Sequence, residues 1–232
     1  MEYKDILEKL ASLSNPGAVA GMERYGISTK YKAYGISIPN LRKMARKIGK
    51  DHSLALKLWA SDIHEAKILA SMIDEPKEVS ESQLEKWVTG FDNWEICDQC
   101  CMNLFEDIDT AYQKCFEWSE RSEEFVKRAG FVLMARLAVS DKKAEDCKFQ
   151  QFFPVIKRES DDNRNYVKKA VNWALRQIGK RNRNLNKQAI KVAEEMLEIE
   201  SQSAYWIASN TLKELNSQVV QERISKRDKN KS

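Results

Sequence analysis

The sequence predicts an all-helical protein built from repeated helix pairs, and three observations carry that prediction. The chain of 232 residues has only eight glycines and four prolines, roughly half of average usage and too few for the turns of a sheet protein. Apolar residues recur at spacings of three and four along most of its length, as a helix with one buried face requires. One stretch also returns about forty residues later, the period of stacked helix pairs.

The apolar spacing marks the helices in order. Leu54 and Leu58 line one stretch, with Ile63 before a turn, and Ile68, Leu69, Met72 and Ile73 line the next. Leu84, Trp87 and Val88 follow, then Cys97, Cys101, Leu104 and Phe105. Ser80, with Gln83 three residues on, reads as a capping box. Ser37 to Pro39 reads as a second helix start, with the proline in the first turn. Asn15-Pro16-Gly17, Asp74-Glu75-Pro76 and Gly179 mark breaks.

The repeat is explicit. Val126-Lys127-Arg128-Ala129-Gly130-Phe131-Val132-Leu133 resembles Val167-Lys168-Lys169-Ala170-Val171-Asn172-Trp173-Ala174 at an offset of 41. Leu175-Arg176-Gln177-Ile178 is echoed by Leu212-Lys213-Glu214-Leu215 at an offset of 37. This period is that of a HEAT-like or armadillo-type solenoid, an α-α superhelix in which one helix of each pair lines a concave face. Equivalent positions project into the same groove, so Lys127, Arg128, Lys168 and Lys169 predict a basic one. Residues 1–232 are read as a single repeat domain with a frayed basic tail over about 221–232.

Charge agrees with that picture only when it is read in segments. The whole chain carries +4. Residues 1–50 carry +6, 51–125 carry −12, 126–156 carry +3, 157–191 carry +8 and 192–232 carry −1. The segment 157–191 is basic enough to suit a polyanion or to form a solvated helix face, and charge alone leaves both open. No apolar run approaches the roughly 18 residues of a membrane span, and the N-terminus lacks the basic start and apolar stretch of a signal peptide. The five cysteines are odd in number and sit in helical patterns. They are expected as reduced thiols in a cytoplasmic protein, nucleoid-associated in a prokaryote.

Two constellations carry chemistry. Trp94 and Asp98 are four apart, about 40° around a helix and therefore on one face, and Cys101 lies on that face too. Asp is rarely buried unless paired, so Asp98 either pairs with a neighbour or faces a cleft; spacing favours the structural role. Trp173, Arg176 and Lys180 share a second face. An indole flanked by cations suits a nucleic-acid backbone, and it equally suits a core tryptophan with a basic rim. Cys97-x-x-Cys100 lacks the strand that precedes a thioredoxin-like pair, and no second ligand pair has zinc spacing. His64-Glu65 lacks the second histidine of a zinc protease. Neither a metal nor a cofactor is expected.

Several stretches together resemble the DNA alkylation repair protein family, the bacterial 3-methyladenine and 7-methylguanine DNA glycosylases built of HEAT-like repeats. They are Tyr34-Gly35-Ile36-Ser37-Ile38-Pro39-Asn40-Leu41-Arg42, His64-Glu65-Ala66-Lys67-Ile68-Leu69-Ala70, Phe91-Asp92-Asn93-Trp94-Glu95-Ile96-Cys97-Asp98, Lys127-Arg128-Ala129 and Lys168-Lys169-Ala170-Val171-Asn172-Trp173-Ala174-Leu175-Arg176. The resemblance spans about residues 20–215. It implies excision of cationic N3- and N7-alkylated purines from double-stranded DNA without base flipping, with neither membrane nor obligate protein partner. It also implies that Trp94 and Trp173 hold the lesion's deoxyribose, that Asp98 stabilises the sugar cation and orients water, and that Arg128 anchors a flanking phosphate. Lys127, Lys168, Lys169, Arg176 and Lys180 would add DNA contacts.

Overall fold

The structure is a computed structural model that describes residues 2–229. Among the described residues there is no strand, only an isolated bridge between Lys32 and Ile63. The chain divides into two compact units at the Asp109–Thr110 junction.

The first unit holds α1 (Tyr3–Ser12), α2 (Pro16–Met22), α3 (Ile38–Ile48), α4 (His52–Trp59), α5 (His64–Ile73), α6 (Glu81–Thr89) and α7 (Trp94–Asn103). The expected breaks are where the sequence put them: Asn15 caps α2 by accepting from Ala18 N, and α5 ends at Ile73, before Asp74. Ser80 caps α6, its hydroxyl accepting from Gln83 N at 3.2 Å. Ser37 precedes α3 without a side-chain cap, and Pro39 sits in the first turn. The apolar spacing overruns one helix. α7 ends at Asn103, and Leu104 turns the chain so that Phe105 enters the core from a 3₁₀ turn.

α5 is the central element of this unit, packing against α3, α4 and α7. Almost every residue of it is buried, charges included. Burying a charge is costly unless hydrogen bonds replace its water, and both charges are supplied with them. Glu65, 2% exposed, accepts from the backbone N–H groups of Tyr34, Gly35 and Ile36. Gly35 is in the left-handed region at φ 69°, and a Cβ there would lie 2.6 Å from Asn15 O. Lys67, 3% exposed, donates to Trp59 O at 2.6 Å and lies 4.1 Å over the Tyr31 ring. Burial pulls its pKa down. Beside it Trp59 and Trp87 stack at 4.2 Å.

The second unit holds α8 (Ala111–Ser119), α9 (Glu124–Ser140), α10 (Asp146–Gln150), α11 (Phe152–Arg158), α12 (Asn165–Gly179), α13 (Arg183–Leu197), α14 (Gln202–Leu215) and α15 (Gln218–Lys229). The repeat seen in the sequence is physical. α9, α12 and α14 start at 124, 165 and 202, the offsets of 41 and 37, and α12 packs between α9 and α14. α8 packs on α9, and α13 on both α12 and α14. Gly130 makes the first of these pairs possible: a Cβ there would come within 2.7 Å of Ser119 N. Side chains bridge neighbouring repeats with a step of 38 residues, as in Arg128 to Tyr166 O and Arg176 to Glu214.

The C-terminal segment differs from expectation. Over 218–229 it is helical rather than frayed: Val220 and Ile224 are buried, and Arg227 donates to Lys180 O at 2.9 Å. Residues 230–232 of the expected tail lie outside the described residues. No helix among the described residues is long and apolar enough to cross a membrane.

Candidate nucleic-acid site

The N-terminus of α7 is fixed by a chain of local hydrogen bonds. Asn93 caps it, its Oδ1 accepting from Glu95 N and Ile96 N. The Asn93 amide donates to Asp92, whose other oxygen accepts from Thr29 Oγ1 and Lys30 N, both at 2.7 Å. Glu95 meets His64 Nε2 at 2.9 Å. The first turn of α7 is therefore tied to both α5 and the segment 29–30.

On this helix Ile96, Cys97, Cys100 and Cys101 are buried, while Trp94, Glu95, Asp98 and Gln99 are half-buried. Trp94 and Asp98 thus share the face turned away from the core, as their spacing predicts. Cys101 lies on that side two turns on, where the stripe is already covered, and burial pushes its thiol well up. The Trp94 N–H donates to Tyr25 O at 3.0 Å. With its only donor used, Trp94 has a ring face to offer and nothing else.

In the second unit Trp173 is half-buried on α12. The Gln177 amide oxygen, oriented to satisfy its neighbours, accepts from Trp173 Nε1 at 3.0 Å. This indole too presents only its faces.

The basic residues fall into two groups. Lys127 is paired with Glu159, and Asp162 lies 3.7 Å from its ammonium. Arg128 is 6% exposed and donates to Tyr166 O at 2.6 Å. Arg176 and Lys180 both pair with Glu214. Burial raises the Glu214 pKa, but Lys180 and Arg176 outweigh it and hold the carboxyl below its ordinary value. The second group is Lys168, half-buried with its ammonium 5.3 Å over the Trp206 ring, and Lys169, which is exposed. Sequence reasoning missed Tyr205 and Trp206 on α14. The offset of 37 could have found them, because it carries Lys168 and Lys169 onto those two positions.

The fold class these helices define is the all-α, HEAT-like helical repeat. A solved structure described as "a new family of proteins related to the HEAT-like repeat DNA glycosylases with affinity for branched DNA structures" has this fold. It matches with a TM-score of 0.79 at 20% identity, over 97% of this chain and 96% of that one. The family model described as DNA alkylation repair enzyme matches residues 6–205, and the chain belongs to that family. Among similar proteins is Lin0241 of Listeria innocua serovar 6a, named as uncharacterized. It is 23% identical over 210 residues, which are 83% of this chain and 93% of that protein. Lmo0209 of Listeria monocytogenes serovar 1/2a, also named as uncharacterized, is 26% identical over 126 residues, 53% of this chain and 56% of its own.

Proposed function

We propose that this protein binds double-stranded DNA and hydrolyses the N-glycosidic bond of cationic N3- or N7-alkylated purines. The observation that supports this reading is the outward face of α7, where the half-buried Asp98 lies one turn from an indole held by the Tyr25 carbonyl.

The chemistry asks little of the protein. An alkylated N3 or N7 gives the purine a positive charge, so it leaves as a neutral base without prior protonation. As the bond breaks, its electron pair goes to the purine and positive charge builds on the sugar, as in glycoside hydrolysis. A carboxylate near C1′ stabilises that charge electrostatically. The electron-rich face of Trp94 does so as well, and that ring has no N–H left to spend on another partner. Trp173 in the second unit likewise has only its faces to offer to DNA. Water then bonds to C1′ and gives its proton to the Asp98 carboxylate. In this reading Lys168 and Lys169 meet the phosphates first, and Arg128 reaches one only by giving up the Tyr166 carbonyl.

That last requirement favours a second reading, a non-catalytic binder. Lys127 and Arg128 are engaged by protein partners, and the solved relative is described as having affinity for branched DNA structures. One assay separates the two: release of free 7-methylguanine or 3-methyladenine from methylated duplex DNA. The glycosylase reading expects release above the spontaneous rate. It also expects Asp98→Asn to lower that rate on the order of 100- to 1,000-fold with duplex affinity largely kept. No release by the wild-type protein, with salt-sensitive DNA binding present, leaves the binder. A protein–protein scaffold of the same fold would show no affinity for DNA.

A further inference from the structure

We infer that Tyr205 and Trp206, together with Lys168 and Lys169, form a stacking platform for unpaired bases of a DNA strand. This rests on the DNA-binding reading above and adds a strand preference to it.

The argument starts from the repeat. Counted from the first residue of each helix, Lys127 and Arg128 of α9 correspond to Lys168 and Lys169 of α12, and these to Tyr205 and Trp206 of α14. The next position is Ala129, Ala170 and Ile207 in turn, buried in all three. The correspondence therefore holds at the level of packing. Two positions that are cationic in successive repeats are aromatic in the third.

Those aromatics are not core residues. Tyr205 is 63% exposed and Trp206 is 37% exposed, among the few large apolar side chains left open to solvent. Trp206 has a cation over it, Lys168 at 5.3 Å, and Lys169 is exposed beside Lys168. Exposed aromatic rings next to lysines are what unpaired nucleic acid requires. Every base has a π-face to stack, and every phosphate has a charge to neutralise. A paired duplex buries its base faces and would gain only the charge term.

The surface next to the platform offers polar groups as well. Lys168 also lines a cleft of about 510 Å³ with Asp161, Asn163, Glu200, Ser201 and Gln202. Two carboxylates make this cleft a poor place for a phosphate. Its amides can hydrogen-bond the Watson–Crick edge that an unpaired base leaves open.

The test is fluorescence anisotropy of the full-length protein with two probes, a labelled oligothymidine and a blunt duplex of the same length. Wild-type protein should bind both. Trp206→Ala and Tyr205→Ala should each weaken oligothymidine binding roughly 5- to 100-fold while changing duplex affinity far less. Trp206→Phe, which keeps a ring beneath Lys168, should retain most of the oligothymidine affinity. Circular dichroism of each variant confirms an intact fold. Unchanged oligothymidine binding in both alanine variants, or equal losses for the two probes, overturns the platform while duplex binding stands. A wild-type protein that binds neither probe overturns the platform and the DNA-binding reading together.

Discussion

The indole N–H of Trp94 donates to the backbone carbonyl of Tyr25 at 3.0 Å. The bond joins residues nearly seventy positions apart and fixes the orientation of a ring at the first position of α7. That ring shares its face with Asp98. Trp94→Phe keeps an aromatic face but removes the donor and the larger, more electron-rich indole. Its cost in stability should be small, about 0.5–1.5 kcal/mol, read from the denaturation midpoint. On the glycosylase reading its cost in release of methylated base should be larger, on the order of 10- to 100-fold, because that reading needs both the placement of the ring and its electron-rich face. Equal activity of the two proteins would show that the Tyr25 carbonyl positions nothing that matters.

Glu65 is the buried carboxylate that organises the stretch before α3. Glu65→Ala would leave the N–H groups of Tyr34, Gly35 and Ile36 without their acceptor. Unsatisfied buried donors are expensive, and a loss of about 3 kcal/mol or more is expected by chemical denaturation. Glu65→Gln keeps an acceptor and should lose less. If the two substitutions are equally costly, the carboxylate's role is packing rather than hydrogen bonding.

Acid should weaken the second unit. Burial pushes Asp162 and Glu214 up, but Arg164 on the first, and Lys180 with Arg176 on the second, outweigh it and leave both below their ordinary values. A carboxyl with a depressed folded-state pKa contributes stability above its unfolded value, and loses it as pH falls through the folded one. Unfolding midpoints measured downward from neutrality should therefore hold to near pH 4.5 and decline below it. Glu214→Gln should flatten part of that decline. A midpoint that rises on acidification would contradict the sign.

Local signals were the most legible part of the sequence. Ser80 before α6, Asn15 before Pro16, and Gly179 at the end of α12 act within one turn of the chain, so these helix boundaries could be read from neighbours alone. The expected capping box is only half formed, because the Gln83 side chain donates to Asp74 instead. The offsets of 41 and 37 were legible for the same reason, since they compare short segments. The shared face of Trp94 and Asp98 followed from spacing. What could not be read was engagement. Lys127 and Arg128 look like free cations, yet their partners Glu159, Asp162 and Tyr166 come from more than thirty residues away. Tyr205 and Trp206 escaped notice because a repeat that exchanges lysine for an aromatic ring stops looking like a repeat.

Burial of the thiols has a consequence for a member of an alkylation repair family. Four of the five cysteines are buried, and burial pushes Cys100, Cys101 and Cys115 well above the usual thiol range. Methylating electrophiles attack thiolates, and a thiol that is both enclosed and protonated is a slow target. Only Cys147 is exposed. The helices that assemble the repeat thus also shelter four of the chain's five thiols from the reagents that damage DNA.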